Sequence, residues 1–167
     1  MNYAAIYEAD CANGEGMRTS LFVSGCTHHC KGCFNEEAWP FSYGKQFTPQ
    51  TMEYILSTLR GEGIDGLSVL GGEPFEPENL LGLYPLIWTV AGTDKSIWMY
   101  SGFTWEQLIG RNDPLTNATL FCIDVLVDGP FVEAEKDVSL RFRGSRNQRI
   151  IDVVETIESG EVVLWGE

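Results

Sequence analysis

The chain has 167 residues, with 11 Lys and Arg against 24 Asp and Glu, a formal charge of −13, and 44% hydrophobic residues. This composition is typical of one folded domain with a sizeable core, so residues 1–167 are predicted to form a single domain. The acidic excess argues against nucleic acid and membranes as partners, because both select clustered Lys and Arg. Neither a signal peptide nor a membrane-spanning segment is predicted, so the expected location is the cytoplasm.

Short apolar runs alternate along the chain with longer segments of helical period. Strands are predicted at Thr19–Ser24, Leu67–Leu70, Ser96–Tyr100 and Cys122–Val127, with weaker candidates at Ile150–Val154 and Val162–Trp165. Helices are predicted from Thr48 as N-cap and Pro49 to about Arg60, and over Pro77–Val90 and Thr104–Ile109. Pro85 is expected to kink or split the second helix.

This alternation predicts an α/β fold with right-handed crossovers and a mostly parallel sheet, either open or curled into part of a barrel. In both forms a ligand site lies at the carboxyl ends of the strands. The segments Asn35–Phe47 and Gly129–Gln148 have weak periodicity and are the expected functional loops.

The most informative segment contains three of the five cysteines, Cys26, Cys30 and Cys33, directly after the first predicted strand. Three thiolates at the spacing C-x3-C-x2-C can hold three irons of a cubane cluster and leave the fourth iron open for a substrate. Gly25 and Gly32 allow the loop to fold tightly around such a cluster. An iron–sulfur cluster is therefore the favoured interpretation of this loop.

Zinc is the alternative, with the three cysteines joined by His28, His29 or Cys11 in a tetrahedral site. A histidine between the first two cysteines would have to turn back towards its own loop, and the second ligand pair of a zinc ribbon is absent from the sequence. Both histidines are expected to flank the cluster rather than bind metal.

The cysteine loop, followed by Phe34, resembles the loop of radical S-adenosylmethionine enzymes, and Leu70-Gly71-Gly72-Glu73-Pro74 resembles their Gly-Gly-Glu/Asp-Pro motif. Four further segments are similar to the activating components of anaerobic (class III) ribonucleotide reductases. They are Asn13-Gly14-x-Gly16, Leu21–Cys26, Leu126–Gly129 and Arg143-Gly144-Ser145-x-Asn147-Gln148. The resemblance extends from Asn2 to about Ile151.

The resemblance implies a partial (β/α) barrel and two cofactors, a 4Fe-4S cluster and S-adenosyl-L-methionine. Reductive cleavage of S-adenosylmethionine would generate a glycyl radical on the large catalytic subunit of an anaerobic ribonucleotide reductase, with flavodoxin as a possible type of electron donor. The implied metal ligands are Cys26, Cys30 and Cys33. The implied cofactor-binding residues are Gly32, Cys33, Phe34, Gly71, Gly72, Glu73 and Ser101. No catalytic residue beyond the cluster is implied, because the cofactor carries the chemistry.

Four arginines between residues 141 and 149 form a local cationic segment in an acidic chain. Guanidinium groups bind carboxylates, so Arg143, Arg146 and Asn147 are candidates for docking an acidic patch of the partner or the cofactor carboxylate. A solvated loop is the alternative. Residues from about 155 to 167 extend beyond the resemblance and are expected to form either an edge strand or a tail.

Three other functions stay open at the level of sequence. The first is activation of a different glycyl-radical enzyme. The second is radical chemistry on a small molecule, and the third is a non-enzymatic zinc or electron-transfer module.

Overall fold

The computed structural model describes residues 1–166 and contains one eight-stranded sheet flanked by five α-helices. The strands are β1 (Asn2–Asp10), β2 (Arg18–Val23), β3 (Lys45–Gln46), β4 (Gly66–Gly71), β5 (Ser96–Tyr100), β6 (Val125–Asp128), β7 (Arg149–Asp152) and β8 (Val163–Leu164). The helices are α1 (Pro49–Leu59), α2 (Pro77–Ala91), α3 (Trp105–Gly110), α4 (Pro114–Leu120) and α5 (Val153–Ser159).

The strand order is β3-β1-β2-β4-β5-β6-β7-β8. The four central strands β2, β4, β5 and β6 run parallel, while β1, β3, β7 and β8 pair antiparallel. The α/β class is confirmed, but the prediction of a mostly parallel sheet holds only for the middle of the sheet. In the described residues 1–166, β3 forms one edge of the sheet and β8 forms the other. The partial barrel stays a prediction.

Most predicted elements are present with small shifts of their bounds. Helix α1 begins as expected, with Thr48 accepting a hydrogen bond from the Thr51 N–H. Helix α2 continues through Pro85, so this proline does not split the helix, and the kink stays a prediction. Strands β1 and β3 and helix α4 have no counterpart among the predictions. Strand β1 lacks a continuous apolar run, and β3 is only two residues long.

The predicted strand Ile150–Val154 is present as β7, but it ends at Asp152, and Val153 and Val154 belong to helix α5. Asp152 accepts a hydrogen bond from the Glu155 N–H and so caps α5, which begins at Val153. The chain then returns at Gly160, whose left-handed backbone ends the helix, and forms β8 beside β7. Of the two alternatives for the C-terminal segment, an edge strand or a tail, residues 161–166 therefore contain the edge strand. Glu167 lies outside the described residues.

The two faces of the sheet are covered differently. Ile97 and Met99 of β5 belong to the large core formed with the helices, whereas Trp98, the residue between them, belongs to a second apolar cluster on the other face. This follows from the alternation of side chains along a strand. The second cluster includes Phe142 and Trp165, which come from a loop and from the C-terminal segment.

None of the helices in residues 1–166 has the length and apolar character needed to span a membrane.

Candidate functional site

A cavity of about 430 Å³ lies at the carboxyl ends of the central parallel strands. Its walls come from the loops that follow β2, β4, β5 and β6, as expected for an α/β sheet. The predicted loops 35–47 and 129–148 both contribute side chains to it. The lining includes Cys26, Cys30, Cys33, Phe34, Trp39, Gly71, Gly72, Glu73, Tyr100, Ser101, Gly102, Phe131, Phe142, Arg143 and Gly144.

The three cysteines of the loop after β2 all reach this cavity as free thiols. Burial raises the pKa of the Cys26 thiol to about 11, and hydrogen bonds from the backbone of His28 and His29 partly oppose this effect. Burial also raises the pKa of Cys30. The Asn35 N–H donates a hydrogen bond to the Cys33 sulfur at 3.4 Å. The donor set is therefore soft sulfur in a shielded pocket, and it fits an iron–sulfur cluster.

The cysteine side chains of this loop do not converge on the position of a single metal ion. Among residues 1–166, no group of three or more His, Cys, Asp or Glu side chains lies close enough to hold a single metal ion. A tetrahedral zinc requires its ligands at about 2.0–2.3 Å from one centre. In a cubane each cysteine binds a different iron, so separated sulfurs are compatible with a cluster.

The glycine turn after β4 is joined to the cysteine loop by backbone hydrogen bonds. Gly72 N donates to Val23 O at 2.8 Å, and Glu73 N donates to Gly25 O at 2.8 Å. A Cβ at Gly72 would lie 2.5 Å from the Gly25 carbonyl oxygen, so only glycine permits this approach. The two motifs identified in the sequence therefore form one unit.

The Glu73 side chain is fully buried, and its carboxylate accepts three hydrogen bonds and lies within hydrogen-bond distance of a histidine. One oxygen accepts from Phe75 N at 2.8 Å and Ser101 Oγ at 3.0 Å, and the other accepts from Gly102 N at 2.7 Å. His28 Nε2 lies 2.9 Å from that second oxygen. Glu73 thus connects the cysteine loop to the ends of β4 and β5.

Two residues that sequence reasoning missed extend this connection. Glu76 is almost fully buried and accepts hydrogen bonds from the backbone N–H and the hydroxyl of Thr27. Asn79, on the first turn of α2, donates to Gly25 O at 3.2 Å and to Glu73 O at 2.9 Å. No pattern in the sequence identified them, because their partners in the cysteine loop, Thr27 and Gly25, lie 49 and 54 residues away.

Of the other predicted cofactor-binding residues, Phe34 and Ser101 line the cavity, whereas Gly32 is not part of its lining. Phe34 is 61% exposed at its rim, where it packs against Phe131 with ring centroids 5.1 Å apart. Gly32 has a left-handed backbone, and a Cβ there would lie 2.9 Å from the Glu133 carboxylate. Ser101 is buried, and its hydroxyl bonds to Glu73 and accepts from Phe103 N.

The two histidines make contacts within the protein. His28 bonds to Glu73 and lies against Phe103, with ring centroids 4.2 Å apart. His29 adopts a left-handed backbone with φ of 48° and stacks on Trp39 at 4.6 Å. Trp39 in turn accepts a hydrogen bond from Cys26 N at 3.0 Å through its backbone oxygen, so it belongs to the wall of the cysteine loop.

The cationic segment is divided between the cavity and the surface. Arg143 lines the cavity and donates to Gln148 O at 2.6 Å, while Arg146 is exposed and pairs with Asp137 at 2.9 Å. The Asn147 side chain donates to Pro130 O at 2.8 Å. These three candidates therefore also order the loop 129–148 itself.

Residues 12–151 match a family model described as a 4Fe-4S single cluster domain. The chain is 43% identical over 154 residues to the anaerobic ribonucleoside-triphosphate reductase-activating protein of Haemophilus influenzae, covering 90% of this chain and 97% of the relative. The protein of that name from Escherichia coli K12 is 38% identical over 152 residues, covering 89% and 96%. The one from Enterobacteria phage T4 is 37% identical over 154 residues, covering 90% and 93%.

Proposed function

The chain belongs to the family of anaerobic ribonucleoside-triphosphate reductase-activating proteins, which contains a 4Fe-4S single cluster domain, and from this premise we propose its activity. It is an activating enzyme that reductively cleaves S-adenosylmethionine at its cluster and generates a glycyl radical on an anaerobic ribonucleotide reductase. The observation that carries this proposal is the joining of the cysteine loop and the glycine turn around one cavity.

In this proposal Cys26, Cys30 and Cys33 bind the cluster. When bound there, the cluster would supply the one-electron chemistry for cleaving S-adenosylmethionine and, through it, for removing a hydrogen atom from a glycine of the partner. The chain's own residues hold this site in place. Glu73, through its three hydrogen bonds and its contact with His28, fixes the loop relative to the ends of β4 and β5.

The cavity lining supports the proposed position of the cofactor. Gly71 and Gly72 line the cavity, so in this proposal their backbone takes the methionine end of S-adenosylmethionine. Phe34, together with the backbone of Gly32 and Cys33, contacts the adenine, while the Arg143 guanidinium is available to a carboxylate. The apolar side chains of Phe131 and Phe142 shield the site from water.

The partner is the large catalytic subunit of the reductase, and flavodoxin is a candidate electron donor. We propose that the exposed cations of loop 129–148 contribute to docking that subunit. The whole chain works as a single domain in the partial-barrel form, and a reducing compartment such as the cytoplasm keeps its five free thiols available.

Electron paramagnetic resonance tests this proposal directly. The anaerobically reconstituted, reduced protein should give a cluster signal that changes on adding S-adenosylmethionine, because the cofactor binds the open iron. Mixing with the large subunit should then give a glycyl-radical signal.

Cysteine variants supply the matched control. Cys30→Ala should lose the cluster signal and most of the iron, whereas Cys122→Ala, which removes a half-buried thiol away from the cavity, should retain both. A cluster signal that S-adenosylmethionine leaves unaltered, or zinc without sulfide, would contradict the proposed activity.

A further inference from the structure

The loop 129–148 forms one wall of the cavity, with Phe131, Leu140, Phe142, Arg143 and Gly144 among its lining residues. The position of this loop therefore sets the shape of the site. The question is what holds the loop against the sheet.

Hydrogen bonds do not connect the outer part of this loop to the rest of the protein. In the described residues 1–166, every hydrogen bond made by residues 137–146 has its partner within 129–148. Examples are Asp137 N to Gly144 O at 3.3 Å and Arg146 N to Glu135 O at 3.0 Å. These bonds shape the loop, but they do not fix it to the sheet, so packing must do so.

Phe142 provides that packing. Its ring lies edge-on to Trp98 of β5, with centroids 5.3 Å apart, and 6.5 Å from the ring of Trp165. Trp98 and Trp165 are themselves edge-on at 5.1 Å, so the three rings form a closed triangle. Phe142 has a left-handed backbone with φ of 59°, a conformation that costs free energy and persists only where the surroundings hold it.

Trp165 reaches the triangle from the C-terminal segment, which lies beyond the matched family range of residues 12–151. Its backbone N–H donates to Ile150 O at 2.9 Å, directly after β8 pairs with β7. Val163 N also donates to the Thr156 hydroxyl at 3.0 Å. The indole of Trp165 is therefore held by strand pairing and by a contact to α5. Together with Trp98 it forms the surface against which Phe142 packs.

We propose that Trp165 is a positioning residue, which holds Phe142 against Trp98 and so keeps loop 129–148 in place as the wall of the cavity. The C-terminal segment thereby acts on the site without lining it. The inference rests on the proposed function only for the ligand of the cavity, since the position of the loop can be measured without S-adenosylmethionine.

Limited digestion of the full-length reconstituted protein with trypsin tests the position of the loop, because Arg141 and Arg143 flank Phe142. Trp165→Ala should speed cleavage after these two arginines about tenfold, since the cleavage rate follows the population of the open loop. Trp165→Phe should restore a rate close to that of the wild type. Trp88→Ala, which removes a 63% exposed tryptophan on α2, is the matched control and should leave the rate unchanged.

A second readout distinguishes positioning from a general loss of stability. Trp165→Ala should raise the dissociation constant of S-adenosylmethionine several-fold, measured from the change in the cluster signal, while iron content stays unchanged. If the wild-type protein does not respond to S-adenosylmethionine, the proposed function fails, but the digestion result still tests the loop.

Phe142→Ala approaches the same contact from the other side and keeps the inference testable if Trp165→Ala folds poorly. The double variant should be cleaved no faster than Phe142→Ala alone, because both substitutions remove one shared contact. Fast cleavage of Phe142→Ala together with wild-type cleavage of a folded Trp165→Ala would overturn the role of Trp165.

Discussion

At the scale of single residues, the buried carboxylate of Glu73 makes contacts within the protein that its motif alone does not predict. The resemblance implies a contact between Glu73 and the cofactor, whereas its oxygens accept hydrogen bonds from Phe75 N, Ser101 Oγ and Gly102 N, with His28 Nε2 as a fourth neighbour. Four hydrogen-bonding partners surround the buried carboxylate, so the network is satisfied. Glu73 therefore holds together the loops that line the cavity.

Glu73→Gln tests this network. The glutamine side chain has one NH₂ group in place of one carboxylate oxygen. In one orientation this NH₂ faces the N–H of Phe75, and in the other it faces the N–H of Gly102; a backbone N–H can only donate. The resulting donor–donor contact in a buried site should lower the free energy of unfolding by about 2 kcal/mol. Urea denaturation of the variant and the wild type measures this difference.

Glu78→Gln is the matched control for that substitution, because Glu78 is exposed on the first turn of α2. Its effect should stay within about 0.5 kcal/mol, as for ordinary surface positions. Equal stabilities of the two variants would show that the Glu73 network does not stabilise the fold.

At the scale of elements, Arg149 joins three pieces of structure at the end of the sheet. It begins β7, pairs with the buried Asp128 at the end of β6, and pairs with Glu106 on α3 at 2.9 Å. The hydrogen bonds from Arg149 are the main cause that lowers the pKa of Glu106 to about 2. This arginine therefore fixes the antiparallel strand β7 against the last parallel strand.

Arg149→Gln should lower the free energy of unfolding at pH 7 by about 2 kcal/mol, less than for a fully buried pair because 32% of the arginine side chain is exposed. The folded-state pKa of Glu106 lies below its ordinary value of 4.5. The contribution of the Glu106 ion pair to the free energy of unfolding is therefore present above about pH 4.5 and is lost as the pH falls towards 2. The difference between wild type and variant should shrink over that range.

Urea denaturation at a series of pH values measures this dependence. Arg60→Gln serves as control, because Arg60 is exposed at the end of α1 and forms none of the salt bridges found within residues 1–166. A stability difference that is independent of pH would argue against the ion pair with Glu106.

At the scale of the whole molecule, a chain of formal charge −13 presents exposed cations beside its cavity. Arg146 is 71% exposed and pairs with Asp137, on the loop that also forms the cavity wall. An exposed charge of this kind acts on association at a distance rather than on final affinity. The cations of the loop are thus suited to guiding an acidic surface of the partner towards the site.

Arg146→Ala should slow association with the large reductase subunit about threefold to tenfold at low salt, and the difference should vanish at high salt through screening. Iron content should be unchanged. Association rates from biolayer interferometry measure the effect, with Arg60→Ala at the opposite end of the strands as the control. Equal association rates for both variants would exclude a docking role for Arg146.

Local patterns in the sequence determined the elements that carry their own signals. Thr48 and Pro49 placed the start of α1, and the apolar run Ser96–Tyr100 matches β5. The spacing of the cysteines and the run Gly71-Gly72-Glu73 indicated the loops that line the cavity. These features could be predicted because caps, strand periodicity and ligand spacing depend on residues close together in the chain.

The tertiary structure alone decided how distant parts combine. Three features join residues that are far apart in sequence. They are the antiparallel strands at the sides of the sheet, the contacts of Glu76 and Asn79 with the cysteine loop, and the packing of Phe142 against Trp98 and Trp165. The identity of Trp165 does not specify its partner, because an apolar ring packs against whichever surface the fold brings to it. Local sequence patterns therefore indicated which loops line the cavity, and the packing of distant segments determined how those loops are held together.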